Sequence, residues 1–215
     1  MKKVMGKTFA IAFADMVSTV LRMNGKTDVF LSPQILIDAN CEDLSTAVDF
    51  ATNEELGFES QFAYPFFGIP RSISRWSEDN YTVSKRERHR IDDVKCFFGH
   101  DEIKSAILAN FAEGGRKYPL VGILRCNDFV DRQVAAVASM ETMPYRFPVN
   151  TPPAQGALGS SDRHAVLIVG VDTTFADPEM HFCEVKSSHG KKWGVDGFSK
   201  VGFGEFDVVL VPYYG

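Results

Sequence analysis

The stretches RHAVLIVGVD (residues 163–172) and EVKSSHGKKWGVDGFSKV (residues 184–201) are the most informative parts of this sequence. Each contains short runs of β-branched and aromatic residues that end at glycine, serine or aspartate, which is typical of strands bounded by turns. YPLVGILR (residues 118–125), HFCEVKS (residues 181–187) and FDVVLVPYY (residues 206–214) have the same character. The second half of the chain is therefore predicted to be mainly β-strand.

The first half carries helical patterns. Over residues 8–24 apolar side chains cover nearly the whole circumference of the first two turns, which predicts a buried helix that Thr8 caps and Gly25 ends. Residues 44–56 and 101–112 are predicted to form two further helices. The chain divides into a mainly helical part, residues 1–95, and a mainly β part, residues 96–215, of one α+β domain.

The composition excludes some classes of partner. A formal net charge of -5 argues against nucleic acid, and no apolar run approaches the ~20 residues that membrane insertion requires. The one dense basic run, SKRERHR (residues 84–90), is interpreted as a solvated surface segment, with a docking patch for an acidic protein surface as the alternative.

The N-terminal stretch superficially resembles a secretory signal or a phosphate-binding loop. Asp15 interrupts its apolar run and no small-residue cleavage site follows, so it is interpreted as part of the folded domain. Gly6, Lys7 and Thr8 lack the upstream glycine and the leading strand of a phosphate loop, which favours a helix start.

Four widely spaced cysteines, without a CxxC pair, are typical of buried thiols in a reducing compartment. They are Cys41, Cys96, Cys126 and Cys183. The expected location is intracellular, most plausibly cytoplasmic or cytoskeletal, with an organelle left open.

Several motifs resemble, in order, those of papain-like cysteine peptidases. Residues 163–172 resemble the histidine block "NHAVLVVGYG", and residues 184–201 the asparagine block "WLVKNSWGxxWGxxGY". FLSPQILIDANC (residues 30–41) resembles "LSPQxLVDC", GFESQFAYPF (residues 57–66) resembles "GxxxExxYPY", and YPLVGILRCNDF (residues 118–129) resembles the strand "GPVxVAxxxxxDF". The resemblance, nearest to cathepsin C and cathepsin B types, spans residues 7–215, with no propeptide expected before them. It implies a two-lobed α+β fold with a helical left lobe, a central helix and a β-barrel right lobe.

The resemblance also assigns the positions of the peptidase site. Matching "CWAFA" to AIAFA places the nucleophile at Ala10, and the glutamine that stabilises the oxyanion at Val4. The catalytic histidine is His164, and the asparagine that orients it is replaced by Ser187. A methyl group cannot attack a carbonyl, and valine offers no side-chain donor. The resemblance therefore implies a degenerate site, in which these four positions are vestigial.

Further departures have the same direction. The tryptophan that covers the asparagine becomes His189, the double glycine of the substrate ledge becomes Asp43 and Leu44, and one cysteine of a family disulfide becomes Lys7 while Cys41 remains. Residues needed for strands and turns keep the family pattern: Gly170, Gly190, Trp193, Gly194 and Gly197.

The sequence favours neither a metal site nor another nucleophile. His181, Cys183 and His189 lack a zinc-like spacing, so neither a metal nor a cofactor is expected. Thr8 could replace the nucleophile only if the match shifted by two residues, and helix capping is preferred. Asp15 is expected to contact a hydroxyl, a backbone amide or an arginine.

The functional hypothesis is a catalytically inactive pseudopeptidase that serves as a structural or protein-binding subunit of a larger intracellular assembly. The expected contact surfaces are FAYPFFGIPRSISRW (residues 62–76) and the basic run. The alternative is a weakly active hydrolase with a non-standard nucleophile, for which Cys41 and Cys183 are candidates.

Overall fold

In the part of the chain that the structure describes, three of four helices precede the first strand. The computed structural model describes residues 6–39, 41, 43–69, 87–124 and 163–215. The helices are α1 (Lys7–Met23), α2 (Gln34–Asp38), α3 (Leu44–Thr52) and α4 (His100–Phe111). The strands are β1 (Asp93–Phe98), β2 (Leu120–Leu124), β3 (His164–Asp172), β4 (Phe182–Lys186), β5 (Phe198–Val201) and β6 (Phe206–Tyr213), with 3-10 turns at Pro178–Met180 and Phe203–Glu205.

The strands form one six-stranded sheet in the order β1-β6-β2-β3-β4-β5. Every neighbouring pair is antiparallel. At the centre, Gly122 of β2 pairs with Val209 of β6, and a Cβ atom at Gly122 would lie only 2.5 Å from the ring of Phe206. Glycine at this position lets the aromatic ring pack on the strand.

Both faces of the central strands are covered, which explains the continuous apolar run of β2. Val121 and Ile123 belong to the core cluster that contains the inner face of α1. Leu120 and Leu124 point the other way, into the cluster that contains Ile103 and Ile107 of α4. The helix α1 therefore lies against one face of the sheet and α4 against the other.

The helix predicted at residues 8–24 is confirmed with one correction. It begins at Lys7, and Gly6 is its N-cap without a side-chain capping bond, so the prediction that Thr8 caps it is wrong. Gly6 leaves Thr8 inside the first turn, where its hydroxyl accepts a hydrogen bond from the backbone N–H of Ala165 at 3.5 Å.

The other elements differ from prediction mainly in their bounds. The helix predicted at residues 44–56 is α3, which ends at Thr52 because Asn53 leaves the helical conformation with ψ 139°. The helix predicted at 101–112 is α4, shifted by one residue. Neither α2 nor β1 was predicted, and the proposed division at residue 95 falls inside β1.

No helix in the described stretches of the chain is both long and apolar enough to cross a bilayer.

Candidate functional site

The start of α1 meets the start of β3. The backbone N–H of Ala165 reaches the hydroxyl of Thr8, so the first turn of the helix touches the strand directly. Ala10, two residues after Thr8 in the same helix, is 5% exposed and belongs to the same buried cluster as Ala165 and Leu167. The position assigned to the nucleophile therefore carries a methyl group packed at this junction.

His164 begins β3 and is also buried, at 4% exposure. The register of β3 with β4 pairs Leu167 with Lys186, which brings Ser187, the residue after β4, beside the start of β3. The Ser187 Oγ lies 3.4 Å from His164 Nε2 and 2.9 Å from His189 Nδ1. The two imidazole ring centroids are 5.2 Å apart. Ser187 thus stands between two histidines.

The surroundings of His164 favour its neutral form. Burial, followed by the smaller effect of the neighbouring His189, lowers the pKa of His164 to about 4. At neutral pH His164 carries no charge. With alanine at the position assigned to the nucleophile, no thiolate there favours the imidazolium form of His164, the form that a cysteine peptidase pairs with its thiolate.

The substrate-side and oxyanion positions have other roles or lie outside the described residues. Asp43 is the N-cap of α3, where its carboxylate accepts from both the N–H and the hydroxyl of Thr46. These bonds, before other causes, lower the pKa of Asp43. Val4 lies outside the described residues.

Among the described residues Asp15 contacts a lysine, rather than the hydroxyl, amide or arginine that was predicted. Its carboxylate accepts from the Lys186 Nζ at 2.8 Å, an ion pair that joins α1 to β4. The pair flanks a cavity of about 230 Å³ that Ser187 and Gly190 also line. No local sequence signal could have found a pair whose members are 171 residues apart.

Two of the described cysteines, Cys41 and Cys96, have a raised pKa and so offer little thiolate. Burial, and then the charge of Asp43, raise the pKa of Cys41 to about 12. Cys183 is completely buried, and burial followed by Asp93 raises the pKa of Cys96. These three are not in disulfide bonds, while Cys126 lies outside the described residues. A thiol without accessible thiolate is a poor nucleophile.

The suggested metal ligands do not converge. His181 Nε2 lies 2.8 Å from the carbonyl of Phe175, Cys183 points into the core, and His189 contacts Ser187. Within the described ranges no three His, Cys, Asp or Glu side chains form a group that could hold a metal ion.

The basic run is less solvated than expected over its described part, residues 87–90. His89 is 5% exposed and its backbone exchanges two hydrogen bonds with Phe58, while Arg88 donates to the carbonyl of Glu55. The interpretation as a solvated surface segment is therefore wrong for His89, because His89 forms a β-bridge with Phe58, which lies in the buried core.

A second feature, missed from the sequence, is a buried polar clamp under the aromatic loop of residues 60–69. The Gln34 side chain, fully buried, donates to Asp38 Oδ1 and to the carbonyl of Ile69, and accepts from the N–H groups of Phe67 and Gly68. The Tyr64 hydroxyl donates to the other Asp38 oxygen at 2.6 Å. The signal was present in SPQILID, but only the distant loop reveals what the glutamine holds.

The clamp presents apolar side chains outward. Phe62 is 97% exposed, Phe67 59% and Ile69 61%. Exposed apolar side chains in a cluster are typical of interaction surfaces. We call residues 60–69 the aromatic loop; the rest of the predicted contact stretch, residues 70–76, lies outside the described residues.

Solved structures share this architecture. The Carica candamarcensis cysteine protease CMS1MS2, in complex with E-64, matches with a TM-score of 0.62 and 16% identity over 99% of this chain and 90% of that chain. Amb a 11, a cysteine protease and major ragweed pollen allergen in its proform, matches with the same TM-score of 0.62 and 16% identity over 100% of this chain and 62% of that chain. No protein-family model and no curated protein sequence matches the chain. At this identity the likeness concerns the fold alone, and the chain has the papain-like α+β fold that its sequence predicts.

Proposed function

We propose that this chain is a catalytically silent pseudopeptidase that acts as a structural or protein-binding subunit of a larger intracellular assembly. The observation that carries the proposal is Ala10, a buried methyl group at the start of α1 beside β3. The location in a reducing compartment rests on the cysteine pattern alone.

The surroundings of Ala10 support chemical silence. His164 is buried with a pKa lowered to about 4, and Ser187 replaces the amide that would orient it. Removing one oxyanion donor in a hydrolase costs roughly 3 to 4 kcal/mol of transition-state stabilisation, and Val4 supplies no such side-chain donor. A nucleophile restored alone would therefore work poorly.

The aromatic loop supports a binding role. Ordering a loop costs conformational entropy, and a loop that is already held rigid before binding avoids much of that cost. The Gln34 clamp fixes the backbone of Phe67, Gly68 and Ile69 through three hydrogen bonds. The side chains of Phe67 and Ile69 remain outside the core. Exposed phenylalanines on a fixed backbone are suited to a protein partner.

The first experiment tests whether the protein lacks peptidase activity. The purified protein is incubated with an epoxide cysteine-peptidase probe and with fluorogenic dipeptide substrates, alongside an active papain-like peptidase. We expect no labelling at Cys41 or Cys183 and no turnover above buffer. Stoichiometric labelling of either residue that also abolishes a measurable turnover would refute the proposal.

The second experiment tests binding. The protein is isolated at its endogenous level, and its complex is sized by gel filtration against the 23.9 kDa expected of the chain alone. We expect a larger complex that Phe62→Ser and Phe67→Ser together release. The control is Phe98→Ser, an equally large exposed ring outside the loop, 54% exposed. Elution of the endogenous protein as a free 23.9 kDa chain would contradict the binding role.

One observation favours the second candidate, a weakly active hydrolase. The Ser187 hydroxyl lies within hydrogen-bond distance of His189, which is the arrangement of a nucleophile and its base. Its 3% exposure opposes access by a substrate. A fluorophosphonate probe distinguishes the two candidates, because labelling that Ser187→Ala removes would establish this one.

A further inference from the structure

A second concave surface lies on the outer face of strands β3 to β5, away from the Ala10 junction. It encloses about 1000 Å³, and Gly170, Phe182, Glu184, Asp196, Phe198 and Lys200 are among its lining residues. We call it the β3–β5 groove. Gly170 lies six residues along β3 from His164, which at about 3.3 Å per residue separates the two sites by roughly 20 Å. The groove is therefore distinct from the candidate site.

Gly170 lines the groove without contributing a side chain. The register pairs Gly170 with Glu184, and a Cβ atom at Gly170 would come within 3.5 Å of Glu184 Oε2. That distance is an ordinary van der Waals contact, and Gly170 does not have a positive φ. A Cβ atom is therefore sterically tolerated at this position, and we expect a larger side chain there to extend into the groove.

The charges around the groove are unequal. Asp172, Glu184 and Asp196 supply three carboxylates, while Lys200 is the one cationic side chain among its described lining residues. The N–H and hydroxyl of Thr174 both donate to Asp172 Oδ1, and these bonds are the main reason that its pKa is lowered. The groove thus keeps a negative excess at neutral pH, which complements a cationic ligand.

The floor of the groove is aromatic and already holds one cation. The Lys200 Nζ lies 4.9 Å from the ring centroid of Phe182, a cation–π contact within the chain. Phe198 and Val195 add apolar surface, and Val195 is 44% exposed. Carboxylates around aromatic rings suit a guanidinium or ammonium group carried between apolar side chains.

We propose that the β3–β5 groove binds an extended segment of a partner protein in which arginine or lysine residues alternate with apolar ones. Carboxylates of the groove pair with the cationic side chains, and Phe198 and Val195 contact the apolar ones. The inference is independent of the chemistry at Ala10, since it concerns a different part of the sheet, roughly 20 Å away along β3.

A peptide-binding measurement tests the groove. The probe is a fluorescein-labelled peptide amide of sequence Gly-Leu-Arg-Phe-Arg-Leu, and its anisotropy is followed during titration with the full chain. We expect saturable binding that is about tenfold weaker when both arginines are replaced by glutamine. Equal binding of the two peptides, or no binding of the arginine peptide, would overturn the proposal.

Variants then locate the binding. Glu184→Gln and Asp196→Asn should each weaken binding about twofold to fivefold, and Lys200→Gln should strengthen it by a similar factor because it removes the groove's cation. Glu54→Gln, the same change of charge on an exposed residue outside the groove, should have no effect. Matching effects of Glu54→Gln and Glu184→Gln would show non-specific attraction to an acidic protein and would refute the groove.

A steric variant completes the test. Gly170→Leu fills the groove without altering any charge, so we expect it to abolish binding of the arginine peptide while circular dichroism and thermal unfolding stay close to wild type. Unchanged affinity of a folded Gly170→Leu protein would exclude the groove. If instead the wild-type chain dimerises and Gly170→Leu prevents it, the occupant is a second copy, and the proposed partner segment is wrong.

Discussion

Replacing Gln34 by methionine tests whether the aromatic loop is held by its buried amide. Methionine has a similar volume but neither donates nor accepts strongly, so the change removes four hydrogen bonds and little packing. The N–H groups of Phe67 and Gly68 and the carbonyl of Ile69 each lose this partner, at about 1 kcal/mol each. Asp38 loses one donor and keeps Tyr64.

With about 1 kcal/mol for the bond to Asp38 as well, the four lost hydrogen bonds destabilise the protein by about 4 kcal/mol, which corresponds to a decrease in Tm of roughly 10 °C for a chain of this size. Urea unfolding gives the free energy, and hydrogen exchange at the amides of Phe67 and Gly68 shows whether the loop has lost its protection. The matched control is Gln61→Met, an exposed glutamine of the same loop, which should change Tm by less than about 2 °C. A Gln34→Met protein with wild-type stability and unchanged exchange would refute the clamp.

Three further predictions concern the Ala10 junction. Ala10→Cys should give no peptidase activity above background in a fluorogenic assay. Adding Ser187→Asn should leave the rate at least about 100-fold below that of an active peptidase, because the oxyanion donor is still missing. A fast Ala10→Cys enzyme in the same assay would contradict this prediction. Because the pKa of His164 falls from 6.5 unfolded to about 4 folded, its stabilising contribution is full above pH ~6.5 and is lost as pH falls through about 4. Urea unfolding of wild type should thus lose on the order of 3 kcal/mol more than His164→Gln between pH 7 and pH 4, and parallel pH profiles would be inconsistent with the burial argument. Lys186→Met should lower the free energy of unfolding by less than about 1 kcal/mol, because Lys186 and Asp15 are both close to half exposed and solvent screens their ion pair. A loss above about 2 kcal/mol in urea unfolding would show instead that the ion pair is a main source of stability at the junction of α1 and β4.

Elements with an uninterrupted local pattern were predictable from the sequence. The helix α1 and the strands β3 and β6 have long apolar runs and clear turn residues at their ends. The strand β1 lacks such a pattern, because DVKCFF mixes charged and apolar residues. Its strand conformation depends on pairing with β6, from Asp93 with Tyr213 to Phe98 with Val208, and no local window contains both partners.

The candidate site shows the same division. The order of the motifs singled out Ala10, His164 and Ser187 as candidates, yet it could not show that Ser187 contacts two imidazoles. The error at Thr8 has a similar cause. A capping threonine and a threonine in the first turn are alike in sequence, and the partner of its hydroxyl, Ala165, lies 157 residues away.

The position of β6 between β1 and β2 has a consequence for biosynthesis. Among the described strands, β1 pairs with β6 alone, and β2 reaches β1 only through it. During translation the α1 and β1 regions leave the ribosome long before β6 is made, so β1 has no strand to pair with until residues 206–213 emerge. Nascent chains arrested before residue 206 should therefore remain protease-sensitive at β1 and bind chaperones, and release should be followed by slow closure of contacts between distant parts of the chain.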